Sequence, residues 1–96
     1  MEERRFVHNK ESKRYELHVG ERLALAEYII NKEGTVYMTH TETLIALEGQ
    51  GVASELIKKS LEDIKEQGLK VYPLCPFVVA YIRKNPEWKS LVKTND

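Results

Sequence analysis

The sequence has only one cysteine, Cys75, among its 96 residues. A single cysteine cannot form an internal disulfide bond, and such sparse use is typical of proteins in a reducing compartment. One cysteine and three scattered histidines also lack the close spacing of ligands that a zinc site needs. We therefore expect a cytoplasmic protein without a metal site, stabilised by its hydrophobic core.

Neither sign of charge is in excess, and no long hydrophobic run is present. Fifteen basic residues balance 15 acidic ones, so the chain lacks the net positive charge that attracts nucleic acid or anionic lipid. The longest nearly apolar run, YPLCPFVVAYI at residues 72–82, is much shorter than the roughly 20 residues of a membrane-spanning helix. The sequence begins with the charged segment MEERRF, which lacks the apolar stretch that a secretory signal needs. We expect neither a nucleic-acid partner nor a membrane partner.

Length and composition predict a single domain over residues 1–96. A chain of this size buries roughly 65% of its unfolded surface, which is enough for one core. The sequence contains no internal repeat and no linker rich in proline, glycine or serine, so no domain boundary is indicated.

Hydrophobic patterns divide the chain into a strand-rich first part and a helical second part. The segments RRFVH, RYELHV, RLALAEYII and TVYMTHT predict antiparallel strands joined by tight turns. RLALAEYII is apolar on both faces, as in a central strand. From Val52 to Ile64 the apolar residues recur at helical spacing, and Gly68 is placed to end that helix.

A strand and a second helix follow. LKVYPL predicts a strand that pairs in parallel across the helix crossover. Pro76 fits the first position of the second helix, which makes Cys75 its N-cap. The predicted fold class is α+β: a mostly antiparallel sheet with a helix crossover to a parallel strand and a second helix after it.

Two glycines, Gly49 and Gly51, stand directly before the first helix, in the stretch EGQGVAS. A helix N-terminus has unpaired N–H groups and a partial positive charge, and glycines there let an anion reach the backbone without meeting a Cβ atom. The stretch lacks the Lys-Ser/Thr of a nucleoside-triphosphate P-loop and the acidic residue after the next strand of a dinucleotide fold. By itself it fits either a phosphate cradle or an ordinary glycine-rich turn.

The glycine stretch and three further segments carry a resemblance to a known family. A G-x-G sequence that follows a strand and opens an amphipathic helix resembles the acyl-CoA-binding core of the GNAT N-acetyltransferase superfamily, whose usual pattern is Gln/Arg-x-x-Gly-x-Gly/Ala. Gly49 and Gly51 match, whereas Ala46 stands at the first position. HTET before the loop, YPLCPFV after the helix and NPEWKSLV near the end look like a small, minimal GNAT-like group with a His-Thr pair and a cysteine. The resemblance covers about residues 14–92.

This resemblance implies acetyl-CoA as the acetyl donor and a coenzyme A site built largely from backbone groups. In such a fold the loop amides bind the pyrophosphate, and the pantetheine arm pairs with a strand end as an extra strand. Lys84 and Asn85, on the helix after Cys75, are candidates for the nucleotide end. The implied cofactor-binding residues are Thr43, Leu44, Ile45, Glu48, Gly49, Gln50, Gly51, Val52, Ala53, Ser54, Lys84 and Asn85.

Three side chains are candidates for catalysis: Cys75, His40 and Glu42. A thiol at a helix N-terminus has a lowered pKa, so Cys75 fits a nucleophile that carries the acetyl group, an acid for the departing coenzyme A thiolate or a buried structural thiol. His40, predicted to share a face with Val36, Met38 and Glu42, fits a general base near neutral pH or a satisfied histidine at the edge of the core. Glu42 would orient it or act as a second base. Because a helix crossover joins their strands, we expect His40 and Cys75 to lie close together.

Three other side chains, one tyrosine and two histidines, are expected to have structural roles. Tyr81 resembles a tyrosine that many GNAT enzymes use as an acid on this helix, but core packing is the expectation for it here. His8 and His18 fall on early strands, where a packing role is the simpler interpretation.

The sequence as a whole predicts a minimal GNAT-like N-acetyltransferase that moves an acetyl group from acetyl-CoA to an amine. The family usually has helices between its first two strands that wall the acceptor site. This chain has only a turn there, which suits a bulky acceptor such as a lysine of a protein or peptide. Two alternatives stay open: a non-catalytic acyl-CoA-binding or protein-interaction module on the same fold, and a small structural domain whose glycine loop holds no ligand.

Overall fold

The computed structural model describes residues 3–43 and 49–93. They form strands, α-helices and a short 3-10 helix, in an order that follows the hydrophobic patterns of the sequence. The elements are β1 (Arg4–Asn9), β2 (Arg14–Val19), β3 (Arg22–Ile30), β4 (Thr35–Thr43), α1 (Val52–Glu66), β5 (Lys70–Pro73), α2 (Pro76–Lys84) and the 3-10 helix (Pro86–Leu91).

The strands form one mixed sheet in the order β1-β2-β3-β4-β5. The pairings from β1 to β4 are antiparallel, and β4 pairs with β5 in parallel across the crossover helix α1. The strand RLALAEYII is the middle one, as its apolar sequence predicted. The α+β class with a helix crossover to a parallel strand is therefore confirmed.

One hydrophobic core joins one face of the sheet to both helices. The apolar stripe of α1 is fully buried, and α2 adds Val78 and Ile82. Each large aliphatic side chain buried in this way stabilises the fold by about 1.5–3 kcal/mol. The sheet residues of this core are Tyr15, Leu17, Val19, Ala24, Ala26, Tyr28, Val36, Met38 and Val71.

A β-bulge at Thr39 interrupts the pairing of β3 with β4. Tyr28 pairs with Met38 and Glu27 pairs with His40, so Thr39 has no residue opposite it. The Thr39 hydroxyl donates to the Glu27 carbonyl at 3.3 Å. A bulge adds one residue to a strand, and the side chains that follow it therefore switch faces relative to those before it.

The bulge overturns one prediction about His40. Val36 and Met38 are buried in the core, whereas His40 is exposed and pairs with an exposed residue of β3. The prediction that His40 shares a face with Val36 and Met38 is wrong, because simple alternation does not count the extra residue. Glu42, two positions further along the same strand, does share the face of His40. The residue between them, Thr41, pairs with a buried alanine and faces the core side.

The helix boundaries are those that the sequence predicted. Gly68, with φ 74°, follows the C-cap of α1. α2 begins at Pro76, and Cys75 is its N-cap in an extended conformation. None of the helices in the described ranges is both long and apolar enough to span a membrane.

The strands β4 and β5 separate after a short parallel stretch. Their pairing ends at Met38 and Pro73, where β5 stops while β4 continues to Thr43. The N–H groups of Leu74 and Cys75 both donate to the Met38 carbonyl, each at 3.0 Å, and lead the chain into α2. Within residues 3–43 and 49–93, no strand pairs with this edge of β4 beyond Met38.

Candidate active site

A cleft of about 510 Å³ opens where β4 leaves β5. It connects the end of β4, the glycine loop, the first turn of α1 and the beginning of α2. Six of the predicted cofactor-binding residues contribute to its wall. The lining residues are Thr41, Glu42, Thr43, Gly49, Gly51, Val52, Ala53, Ser54 and Phe77.

Both glycines of the loop have left-handed backbone conformations. The φ angle is 80° at Gly49 and 72° at Gly51, which is the N-cap of α1. A Cβ atom built at either position meets nothing within 4 Å. The requirement for glycine therefore lies in the backbone conformation, because a side chain strains a residue at positive φ. The same lack of side chains leaves the backbone open to the cleft.

The first turn of α1 lines this cleft with residues whose backbone N–H groups have no partner within the helix. The N–H of Glu55 makes the first helical hydrogen bond, to the Gly51 carbonyl at 3.0 Å. The N–H groups of Val52, Ala53 and Ser54 precede it and have no acceptor within the helix. Gly51 has no side chain that could cap them. These donors and the helix dipole suit an anion such as a phosphate group.

The remaining predicted cofactor residues lie in different places. Gln50 lies between the two glycines. Lys84 and Asn85 are at the far end of α2 from Cys75, about 13 Å along a nine-residue helix, and neither lines the cleft. The Asn85 amide donates to the Tyr81 carbonyl at 2.9 Å and finishes the helix. Leu44, Ile45 and Glu48 lie outside the described residues.

The Cys75 side chain sits at the point where β4 and β5 separate. It is 7% exposed, and its Sγ lies 3.4 Å from Oγ1 of Thr41. Thr41 lines the cleft, so the thiol is one side chain away from the cleft wall. Burial raises the pKa of the Cys75 thiol, but hydrogen bonds from the Thr41 hydroxyl and from the backbone N–H groups of Val78, Phe77 and Thr41 outweigh burial and lower the pKa below its ordinary value.

His40 and Glu42 lie on the other face of β4. Their side chains are 54% and 68% exposed, and Nε2 of His40 is 3.3 Å from Oε2 of Glu42. Glu42 lines the cleft, whereas His40 does not. The expected approach of His40 to Cys75 is not found: β4 and β5 are neighbours, but His40 is exposed on the outer face of β4, and the bulge at Thr39 turns Thr41 toward the thiol instead.

Two residues of the cleft, Thr41 and Phe77, were not among the predicted site residues. Phe77 is 39% exposed at the first turn of α2, and its position one residue after the predicted helix start was a usable signal. The position of Thr41 in the cleft could not be predicted without the bulge at Thr39, because simple alternation places Thr41 on the opposite face of β4. Tyr81 packs against the core, as expected, and burial raises the pKa of its phenol.

The arrangement of strands, crossover helix and glycine loop agrees with a match to a family of known proteins. The model of the GCN5-related N-acetyltransferase family matches residues 14–91. The chain belongs to this family. The fold is shared with a GCN5-like N-acetyltransferase candidate from Staphylococcus aureus, known from a solution NMR structure: the TM-score is 0.68 at 22% identity, over 98% of this chain and 90% of that one.

Curated vertebrate proteins also resemble this GCN5-related chain. Protein NATD1 of Xenopus tropicalis is 36% identical over 62 residues, or 65% of this chain and 55% of that protein. The human protein of the same name is 34% identical over 62 residues, or 53% of its length. The Danio rerio protein is 27% identical over 86 residues, which cover 85% of this chain and 76% of its own. The chain spans about half the length of the first two of these relatives.

Proposed function

We propose that this protein is an acetyl-CoA-dependent N-acetyltransferase that acts on an amine. The observation that carries the proposal is the cleft itself. At one end it has the N–H groups of Val52, Ala53 and Ser54, which have no acceptor within α1, and at the other it has Thr41 in contact with the Cys75 thiol. An anion site and a perturbed thiol joined by one groove suit a substrate with a phosphate end and a thioester end.

Coenzyme A fits the two ends of this cleft in one orientation. The pyrophosphate would accept hydrogen bonds from the backbone N–H groups after Gly51, where no Cβ atom intervenes. The pantetheine arm would lie along β4 between Thr43 and Thr39, since no strand of the described residues pairs with this edge beyond Met38. Phe77 would cover the arm from α2. The acetyl thioester would then reach Cys75.

The lowered thiol pKa supports a nucleophilic role for Cys75. Its thiolate would attack the thioester carbonyl, forming a C–S bond to Cys75 as the C–S bond to coenzyme A breaks and that thiolate leaves. An amine would then attack the acetyl-cysteine, with the Cys75 thiolate as leaving group and the nitrogen proton transferred to a base. In the alternative route the amine attacks acetyl-CoA directly and its nitrogen proton passes to a base. The C–S bond to coenzyme A then breaks, and the neutral Cys75 thiol gives its proton to the coenzyme A thiolate.

His40 is the proposed base for the amine, with Glu42 as its orienting partner. Both side chains are on the face of β4 away from the core, and both are exposed. Glu42 also lines the cleft, so the acceptor would approach the donor thioester from this face of the strand end. A face this open suits an extended acceptor such as a lysine of a protein or peptide. A reducing compartment such as the cytoplasm would keep the single thiol available.

Intact-protein mass spectrometry tests both the activity and the route. The protein is incubated with acetyl-CoA, with and without a lysine-containing peptide, beside the Cys75→Ser variant. For the unmodified protein, the expected result is one acetyl group on Cys75 that hydroxylamine removes, together with acetylated peptide. For Cys75→Ser, neither product is expected. Peptide acetylation by Cys75→Ser at the unmodified rate would contradict a chemical role for the thiol. Binding of acetyl-CoA without transfer to any amine would instead indicate a non-catalytic acyl-CoA-binding module.

A further inference from the structure

In the described residues, Arg4 of the edge strand β1 contacts the glycine loop and the first turn of α1. Nη1 of Arg4 lies 2.6 Å from Oε1 of Glu55, and Nη2 donates to the Gln50 carbonyl at 3.0 Å. These contacts join residues that are 51 and 46 positions apart in the sequence. Arg4 and Glu55 are both about one-third exposed or less. The neighbouring Arg5 is exposed and points to the other face of the sheet.

The hydrogen bond to Gln50 fixes the direction of one peptide unit. A trans peptide directs its C=O and its N–H to opposite sides, and the peptide between Gln50 and Gly51 is trans. Because Arg4 holds the Gln50 carbonyl, the N–H of Gly51 points away from Arg4. Gly51 lines the cleft, whereas Arg4 does not. The glycines on both sides of Gln50 have positive φ, and the hydrogen bond from Arg4 links the peptide between them to β1.

The contact with Glu55 offsets the charge of a carboxylate in the first turn of α1. Glu55 is in the first turn of α1. The hydrogen bond from Arg4 lowers its pKa, so the group is ionised and would repel a phosphate placed at the same helix end. Lys59, at 3.4 Å from the carboxylate, compensates from one turn further along the helix. Without Arg4, only Lys59 of these two cations would offset the negative charge of Glu55 in the first turn of α1.

We propose that Arg4 is a positioning residue for the diphosphate end of the coenzyme A site. It orients the Gln50–Gly51 peptide and offsets the charge of Glu55, without touching the ligand. This inference rests on the proposed function, since it assumes that coenzyme A occupies the cleft.

The test compares four variants by isothermal titration calorimetry with coenzyme A and with pantetheine, which has no phosphate. Arg4→Met keeps most of the aliphatic stem and removes the donors, and Arg5→Met is the matched control. Arg4→Met should weaken coenzyme A binding about tenfold, the size expected for a hydrogen bond to a charged group, and leave pantetheine binding unchanged. Glu55→Gln should bind coenzyme A at least as tightly as the unmodified protein, and the double variant should recover part of the lost affinity.

Two outcomes would overturn the role of Arg4. One is equal coenzyme A affinity for Arg4→Met and Arg5→Met, and the other is an equal loss for pantetheine. If Arg4→Met does not fold, a Glu55→Gln variant that binds coenzyme A about tenfold more weakly also contradicts the charge argument.

A second readout separates this inference from the proposed function. The residual dipolar coupling of the Gly51 amide reports the direction of its N–H bond without any ligand. It should change in Arg4→Met and stay unchanged in Arg5→Met, and an unchanged value in both would overturn the positioning role. Failure of the unmodified protein to bind coenzyme A would remove the proposed function, whereas the Gly51 coupling would still decide whether Arg4 orients the loop.

Discussion

Sγ of Cys75 and Oγ1 of Thr41 lie 3.4 Å apart, across the point where β4 and β5 separate. The Thr41 hydroxyl can donate to the thiolate, and the backbone N–H of Thr41 also lowers the thiol pKa. The pair therefore connects the cleft wall to the candidate nucleophile, although the two residues are 34 positions apart in the sequence.

Removing the Thr41 hydroxyl should make the thiol harder to ionise. In Thr41→Val burial opposes ionisation with one fewer hydrogen bond to offset it, so the Cys75 pKa should rise. Alkylation by iodoacetamide, followed as a function of pH, should then begin at higher pH than in the unmodified protein. Thr41→Ser keeps the hydroxyl and should behave like the unmodified protein. An unchanged pH profile in Thr41→Val would show that the backbone donors alone set the pKa.

Glycine substitutions should separate backbone strain from ligand binding. Gly51 and Gly68 have φ angles of 72° and 74°, and a Cβ atom at either would meet nothing within 4 Å. Each change to alanine should therefore lower the free energy of unfolding by about 1–2 kcal/mol. Only Gly51→Ala should also weaken acetyl-CoA binding, because Gly68 is at the other end of α1.

Denaturant unfolding and calorimetric titration measure these two effects. Because both substitutions introduce similar backbone strain, the difference in acetyl-CoA affinity between Gly51→Ala and Gly68→Ala reports the role of Gly51 in binding. Equal acetyl-CoA affinity in both folded variants would mean that the loop at Gly51 is an ordinary turn. Changing Gly49 and Gly51 together to valine should abolish binding altogether.

Acid should destabilise the protein through Glu16. This carboxylate is 5% exposed and accepts hydrogen bonds from Arg14 at 2.6 Å, Asn9 at 3.0 Å and His18 at 2.7 Å. Burial raises its pKa, but these donors outweigh burial and bring the pKa to about 2. Relative to an ordinary glutamate near 4.3, the lowered value corresponds to about 3 kcal/mol of stability.

The sign of the pH dependence follows from the lowered pKa. The contribution of Glu16 is fully present above the pKa of the unfolded chain and is lost as the pH falls from about 5 toward 2. Urea unfolding at pH 7 and pH 3 should therefore show a smaller acid loss in Glu16→Gln than in the unmodified protein. Glu27→Gln, an exposed change on the same face, is the control and should keep the full loss. Equal acid losses in all three proteins would contradict this account of Glu16.

His8 should matter for stability and not for the cofactor. Its Nε2 lies 2.6 Å from the Tyr28 hydroxyl, its Nδ1 lies 3.2 Å from Asp63, and its ring stacks on Tyr15 at 4.2 Å. His8→Leu leaves the buried Tyr28 without this hydrogen bond, which should cost about 1–3 kcal/mol. Thermal unfolding should show the loss, and calorimetry with coenzyme A should show unchanged affinity. A loss of affinity in the folded variant would place His8 in the functional machinery.

The sequence was sufficient for the features that depend on local chemistry. The helix from Val52, the stop at Gly68 and the N-cap at Cys75 follow from apolar spacing and from the backbone preferences of glycine and proline. The strand order follows as well, because antiparallel neighbours joined by tight turns and a helix crossover leave few arrangements. The glycine loop was found for the same reason: positive φ and a helix start both select glycine.

The bulge at Thr39 and the contacts of Arg4 lay beyond such reasoning. Strict alternation along β4 put His40 on the wrong face and hid Thr41, because nothing in TVYMTHT marks which residue is extra. The contacts of Arg4 with Gln50 and Glu55 join the beginning of the sequence to its middle. Only the packed fold brings these partners within reach, since neither composition nor spacing relates them.

A backbone-amide NMR titration with acetyl-CoA tests the central claim most directly. The account predicts that the largest shift changes occur at residues 49–54 and extend through Thr41 to Cys75 and Phe77, along the wall of the cleft. Shift changes confined to the opposite end of α1, or none at millimolar acetyl-CoA, would contradict it and leave the two glycines as a turn.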